Sequence, residues 1–154
     1  MIKYDDYLVT FTEVPDECSL CFNITNCPCH CVDCFEPWLQ KDIGVELNIE
    51  VIKVLLAENK YCTCICFMGG DANHTALSLL IARCREIWPH IKFAMYSGLP
   101  LMDDALAKQL DYYKVGPFIP ERGPLNKTTT NQHMYKKIDG EWKDITYRFY
   151  DKTE

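Results

Sequence analysis

Apolar positions along this chain change period several times, and each change marks an element. Tyr7 to Thr12 and Leu20 to Thr25 are rich in β-branched and aromatic residues and read as the first strands. Asn48 stands where a helix cap belongs, ahead of Val51, Ile52, Leu55 and Leu56 on one apolar face. Tyr61 to Met68 is a compact apolar run ending in Gly69-Gly70-Asp71, which predicts a buried strand. Asn73 is placed to cap a second helix, whose stripe of Leu77, Leu80, Ile81, Cys84 and Trp88 continues until Pro89 stops it. Ile91 to Tyr96 reads as a strand closed by Ser97-Gly98. A helix over about 102–110 and a short strand from Tyr112 to Val115 follow.

The middle of the chain therefore alternates strand and helix, the pattern of a parallel sheet with crossover helices. Such sheets place ligand sites beyond the carboxyl ends of their strands. A cysteine-rich loop after Thr25 and the Gly69-Gly70-Asp71 turn both fall at such ends. Near the end, Met134 to Ile138 and Trp142 to Phe149 flank Asp139-Gly140, a strong hairpin turn signal. The expected architecture is α/β: an open partial (βα) barrel of mostly parallel strands with a C-terminal β-hairpin, formed by residues 1–154 as one domain. At 154 residues the chain is short for a closed eight-stranded barrel, which typically needs about 250.

Composition narrows the class. Apolar residues make up 48% and charged residues 25%, the balance of an ordinary soluble globular protein. A net charge of −6 and the lack of a dense Lys/Arg stripe argue against nucleic acid as a partner. No apolar run approaches the ~20 residues of a membrane span. The start, Met-Ile-Lys-Tyr-Asp-Asp, has no apolar signal region, so no secretory signal is expected. The expected location is the cytoplasm, where thiols stay reduced. Ten cysteines there point to metal binding or catalysis ahead of a disulfide framework.

The chemistry concentrates in Asn26-Cys27-Pro28-Cys29-His30-Cys31-Val32-Asp33-Cys34-Phe35. Cys27, Cys31 and Cys34 follow the spacing Cys-x3-Cys-x2-Cys and offer three thiolates from one short loop. A cubane iron–sulfur cluster normally takes four cysteine thiolates. With three supplied, one iron keeps open positions, and an open position separates a catalytic metal site from a sealed one. Gly69-Gly70-Asp71 adds a turn in which glycine lets backbone carbonyls approach a ligand without a Cβ in the way. By itself that turn also reads as a plain strand-to-helix connection, with Asp71 favourable near a helix N-terminus.

Taken in order, these stretches resemble the radical S-adenosylmethionine enzymes. The likeness is closer to the small activating proteins of anaerobic ribonucleotide reductase, a branch of the glycyl-radical activases. The similar segments are Asn23 to Cys27 and on to Trp38-Leu39, Phe67 to Asp71, Tyr96-Ser97-Gly98, Lys114 to Pro117, and Thr129 to Gln132. The resemblance implies a 4Fe-4S cluster on Cys27, Cys31 and Cys34, with S-adenosyl-L-methionine chelated to the fourth iron. It implies reductive cleavage to a deoxyadenosyl radical, which takes a hydrogen atom from a glycine of a glycyl-radical reductase subunit. A flavodoxin- or ferredoxin-type electron donor is implied as well. The protein's part is geometry and exclusion of competing reactions. Implied S-adenosylmethionine contacts are Gly69, Gly70 and Asp71 at the amino group and Ser97 at the ribose, with Asp33, Cys34 and Phe35 near the adenine. Many members carry an aromatic residue immediately before the last cysteine. This chain has Asp33, so an adenine contact would rest on its backbone or on Phe35.

Other residues carry two readings. Cys29 is an extra thiol whose use as a fourth ligand would close the cluster and strain so tight a loop. Cys18 and Cys21 could join Cys31 and Cys34 in a non-catalytic zinc-binding interaction module. Their spacing is short for that pattern, and they tend to point to opposite faces of a strand. Cys62, Cys64 and Cys66 alternate and are expected to share one face, packing as weak hydrophobes; Cys84 falls on a core stripe. His30 is expected exposed and His74 solvated. Lys114 could face the cavity or be an ordinary strand lysine, and Thr128 to Gln132 could order a docking surface or form a plain polar loop. A formate-lyase type of glycyl-radical partner shares the same cluster chemistry.

Overall fold

The computed structural model describes residues 1–151. Its strands are β1 (Lys3–Thr10), β2 (Ser19–Ile24), β3 (Val45–Glu46), β4 (Cys64–Met68), β5 (Lys92–Tyr96), β6 (Tyr112–Val115), β7 (His133–Ile138) and β8 (Glu141–Asp144). They form one sheet in the order β3-β1-β2-β4-β5-β6-β7-β8. Neighbours in β2-β4-β5-β6 run parallel, whereas β1, β3, β7 and β8 pair antiparallel at the two flanks. The class is α/β, and the sheet is mixed and open. The expected predominance of parallel strands holds only for its centre.

The helices are α1 (Ile49–Glu58), α2 (His74–Ile87) and α3 (Asp104–Gln109). Each begins where a side chain answers an orphan backbone donor. Asn48 Oδ1 accepts from Val51 N–H, Asn73 Oδ1 from Ala76 N–H, and Asp103 Oδ1 from Leu106 N–H. Among the described residues no helix is long and apolar enough to cross a membrane.

Period-2 alternation sorts each central strand onto two faces. Leu20, Phe22, Ile65, Phe67, Phe93, Met95 and Tyr113 pack with Ile52, Leu77, Ile81, Cys84 and Leu106 of the helices. The opposite face holds Cys21, Cys64, Cys66, Ala94, Tyr112 and Met134, covered by Val14 and Ile145. Both faces of the central strands are thus buried, which is why Cys64 to Phe67 carries no polar alternation.

Three local expectations change. Cys62 lies outside β4, so it leaves the face of Cys64 and Cys66 and joins the helix-side core, its sulfur 4.0 Å from that of Cys18. The second arm of the terminal hairpin ends at Asp144, whose carboxylate accepts from the Thr146 N–H and hydroxyl and turns the chain into a 3₁₀ segment, Thr146–Phe149. The short edge strand β3 was not foreseen. Two exposed residues are too few to show a period.

Candidate functional site

Beyond the carboxyl ends of β2, β4, β5 and β6 the chain leaves a cleft of about 210 Å³. Its walls include Ile24 and the cysteine loop, then Met68, Gly69 and Asp71, then Tyr96, Ser97 and Gly98, and finally Lys114 and Gly116. Four parallel strands thus deliver their next residues to one space, as open α/β sheets do.

The cysteine loop is pinned at its base. Asn26 N–H donates to Lys41 O at 2.9 Å and Cys27 N–H to Leu39 O at 2.8 Å, so residues 27–39 project as a closed excursion. Asn26 at its base, and His30 and Asp33 within it, take left-handed backbone angles, which Asn, Asp and His tolerate better than most residues. Cys34 N–H closes a tight turn on Cys31 O at 3.3 Å. Cys27, Cys29, Cys31 and Cys34 all line the cleft, and all ten cysteines are free thiols.

Asp71 is the polar hub, with its side chain only 1% exposed. Its Oδ1 accepts from the Ser97 hydroxyl at 2.8 Å and lies 2.9 Å from His74 Nε2. Its Oδ2 accepts from Gly98 N–H at 2.9 Å and from the Cys29 thiol at 3.6 Å. Burial, followed by the neighbouring Cys27 and Asp71, pushes the Cys29 thiol up to about 12, so it stays a proton donor. Cys29 also explains Gly98, because a Cβ there would sit 2.6 Å from the Cys29 sulfur. Gly98 has no left-handed backbone angle; space alone excludes a side chain.

Lys114 forms the floor. It is buried, and its ammonium donates to Ser97 O at 3.1 Å and Gly116 O at 2.8 Å. Desolvation lowers its pKa from 10.5 to about 8, against the upward pull of Cys31, Asp71, Cys29 and Cys27. At the rim Glu36 is held above the ordinary carboxylate range by burial and by the acidic neighbours Asp5, Glu13 and Asp6. Phe35 is 71% exposed, yet it leans on Phe118 with ring centroids 5.0 Å apart.

Of the residues expected from sequence, Cys27, Cys31, Cys34, Phe35, Gly69, Asp71 and Ser97 share this cleft. Asp33 and Gly70 do not line it. Asp33 is exposed, and Gly70 abuts α2, where a Cβ would meet Leu77 Cδ2 at 2.7 Å. His74 is partly buried and bridges Asp71 to Asp103, with Nδ1 3.4 Å from Asp103 Oδ2, so it is not merely solvated. His30 is exposed and pairs with Gln40. Phe118 and the Cys29–Asp71 contact escaped sequence reasoning. Phe118 sits in an irregular loop without a period, and the thiol contact joins positions 42 residues apart.

The donor set bears on which inorganic group fits. Among the described residues no three His, Cys, Asp or Glu side chains converge on a point where one metal ion could sit. A single zinc ion needs every sulfur about 2.3 Å from that point. A four-iron cluster instead takes one thiolate on each iron, so its ligands ring a cavity. Cys27, Cys29, Cys31 and Cys34 line one cleft without converging on such a point. Cys18 and Cys21 are buried on opposite faces of the sheet and are not brought together with Cys31 and Cys34. Compared with protein-family models, characterised proteins and solved structures, the chain matches none of them.

Proposed function

We propose that this cleft is a radical S-adenosylmethionine centre and that the protein is a glycyl-radical activase acting on anaerobic ribonucleoside-triphosphate reductase. The observation that carries this reading is that Cys27, Cys31 and Cys34 line one cleft together with Gly69 and Asp71. Cys27, Cys31 and Cys34 would hold a 4Fe-4S cluster, which when bound supplies the electron for reductive cleavage of S-adenosyl-L-methionine.

The remaining steps belong to this chain's side chains. Asp71 is a buried carboxylate at the end of β4, held by Ser97 and Gly98, and suits the ligand's ammonium group. Lys114 carries positive charge on the floor, where an anionic carboxylate gains from it. Gly69 has φ +116 and exposes backbone without a Cβ, which suits close approach of a ligand. The Phe35–Phe118 pair offers an aromatic surface at the mouth for the adenine. In this reading the open sheet is a partial (βα) barrel, the protein works in the cytoplasm, and a flavodoxin- or ferredoxin-type donor delivers the electron.

Anaerobic reconstitution with iron and sulfide tests the assignment. The expected product is a brown protein whose visible absorption is bleached by dithionite. Cys27→Ala, Cys31→Ala and Cys34→Ala should each abolish cleavage of S-adenosylmethionine, with Cys29→Ala largely active. A colourless protein holding stoichiometric zinc, or equal loss in Cys29→Ala, overturns the ligand assignment.

A further inference from the structure

Two cysteines that the proposed chemistry leaves unused meet at the opposite end of the sheet from the cleft. Cys18 immediately precedes β2 and Cys62 lies just before β4. Their sulfurs are 4.0 Å apart, although the residues stand 44 positions apart in sequence. Both are buried, at 7% and 6% exposed, and both are free thiols.

The backbone holds the pair together. Cys18 N–H donates to Thr63 Oγ1 at 3.0 Å, and Cys18 O accepts from the Thr63 and Cys64 N–H groups at 2.8 and 3.2 Å. Neighbouring strands lie about 4.8 Å apart, inside the range of Cα separations that a disulfide spans. Closing the gap to the ~2.05 Å of an S–S bond asks for side-chain rotation about single bonds and no parting of the strands. Cys62 also lines a cavity of about 310 Å³ walled by Leu56, Ala57, Trp88 and Ile91, which gives a small oxidant a route to its sulfur. Burial, followed by the neighbouring Cys18, pushes the Cys62 thiol up to about 12, which slows attack through that sulfur near neutral pH.

We propose that Cys18 and Cys62 are a redox modification site, converted by hydrogen peroxide to a reversible disulfide that staples the entry of β2 to that of β4. One sulfur, as thiolate, attacks the peroxide: an S–O bond forms, the O–O bond breaks and water leaves. The second sulfur then attacks the first: the S–S bond forms, the S–O bond breaks and another water leaves. Two thiols are oxidised, one peroxide is reduced to two waters, and the thiol protons end in those waters. The stapled strands carry the cysteine loop and the Gly69-Gly70-Asp71 turn at their far ends. The inference is independent of the activase reading, because neither sulfur belongs to the cleft.

The test exposes the full chain, purified under reductant, to hydrogen peroxide. Remaining thiols are then alkylated, and the digested protein is mapped by tandem mass spectrometry. The expected product is a cross-linked peptide pair whose fragments join Cys18 to Cys62, lost on treatment with dithiothreitol. Because the bridge closes a long loop, oxidation should raise the melting temperature by about 5–10 °C. In Cys62→Ala the same treatment should give no such rise, each protein being compared with its own reduced form. The peptide map of the wild-type chain decides the matter even where the variant folds poorly. Cys18 joined to a different cysteine, Cys62 driven to sulfinic acid without a bridge, or both thiols still alkylatable while the cleft cysteines oxidise overturns the inference. An equal rise in melting temperature in Cys62→Ala does so as well.

Discussion

Replacing Asp71 with alanine removes the acceptor on which four donors from three segments converge. The Ser97 hydroxyl and Gly98 N–H are 2.8 and 2.9 Å away, His74 Nε2 is 2.9 Å away, and the Cys29 thiol is 3.6 Å away. Hydrogen bonds to an ionised group contribute about 1.5–3 kcal/mol each, and a stranded buried donor costs about 1–3 kcal/mol. Ser97 is buried, whereas His74 and Cys29 can recover part of their loss from water. Asp71→Ala should therefore cost about 3–5 kcal/mol, which for a chain of this length lowers the melting temperature by roughly 10 °C. Asp71→Asn should cost only about 1–2 kcal/mol. Its remaining oxygen can face Gly98 and Cys29 while its NH2 faces the Ser97 oxygen and a His74 tautomer able to accept. Urea melts of the three proteins, supported by calorimetry, measure both gaps. An alanine variant within 2 °C of wild type, or an asparagine variant worse than alanine, refutes the hub.

Gly98→Ala places a Cβ 2.6 Å from the Cys29 sulfur, so the loop must withdraw and the Cys29–Asp71 contact should break. Faster proton exchange of the Cys29 thiol, with the β5 amides still protected, would show it. Gly70→Ala meets Leu77 at 2.7 Å and a left-handed backbone, and should cost about 2 kcal/mol without changing iron content. An altered iron content with unchanged stability would place Gly70 in the site instead. Lys114, lowered from 10.5 to about 8 by burial, is bound to its proton less tightly in the folded state. That penalty, on the order of 3 kcal/mol, is full below pH 8 and fades as pH rises toward 10.5, where both states lose the proton. Buried Cys62 and Cys84, pushed up from 9.0 to about 12, act with the opposite sign above pH 9. Comparing wild type with Lys114→Met isolates the lysine: the variant's stability advantage should shrink between pH 7 and pH 10, and a gap that stays level or widens contradicts it.

Much of the scaffold was legible along the chain because its signals are local. Asn48 and Asn73 cap their helices through side chains three residues from the donors they satisfy. Asp139-Gly140, with φ of +52 and +80, turns the hairpin between β7 and β8 as the dipeptide predicts. The antiparallel flank at β1 was harder, since pairing of β1 with β2 depends on a long connection and not on any period within either strand. Cys62 misled for a related reason: alternation assigns a face only where the chain is extended, and β4 begins at Cys64.

Sequence alone determined the caps, the apolar runs, the turn glycines and the presence of four thiols in one loop, because each depends on neighbours a few residues apart. Only the tertiary structure decided what those thiols face. Packing of α2 against the sheet turned Gly70 away from the cleft, and the parallel order of β4, β5 and β6 brought Asp71, Ser97 and Lys114 to one floor. Burial then set their chemistry: desolvation weakens the proton on Lys114 and tightens it on Cys29, and neither effect exists until the chain has closed around them.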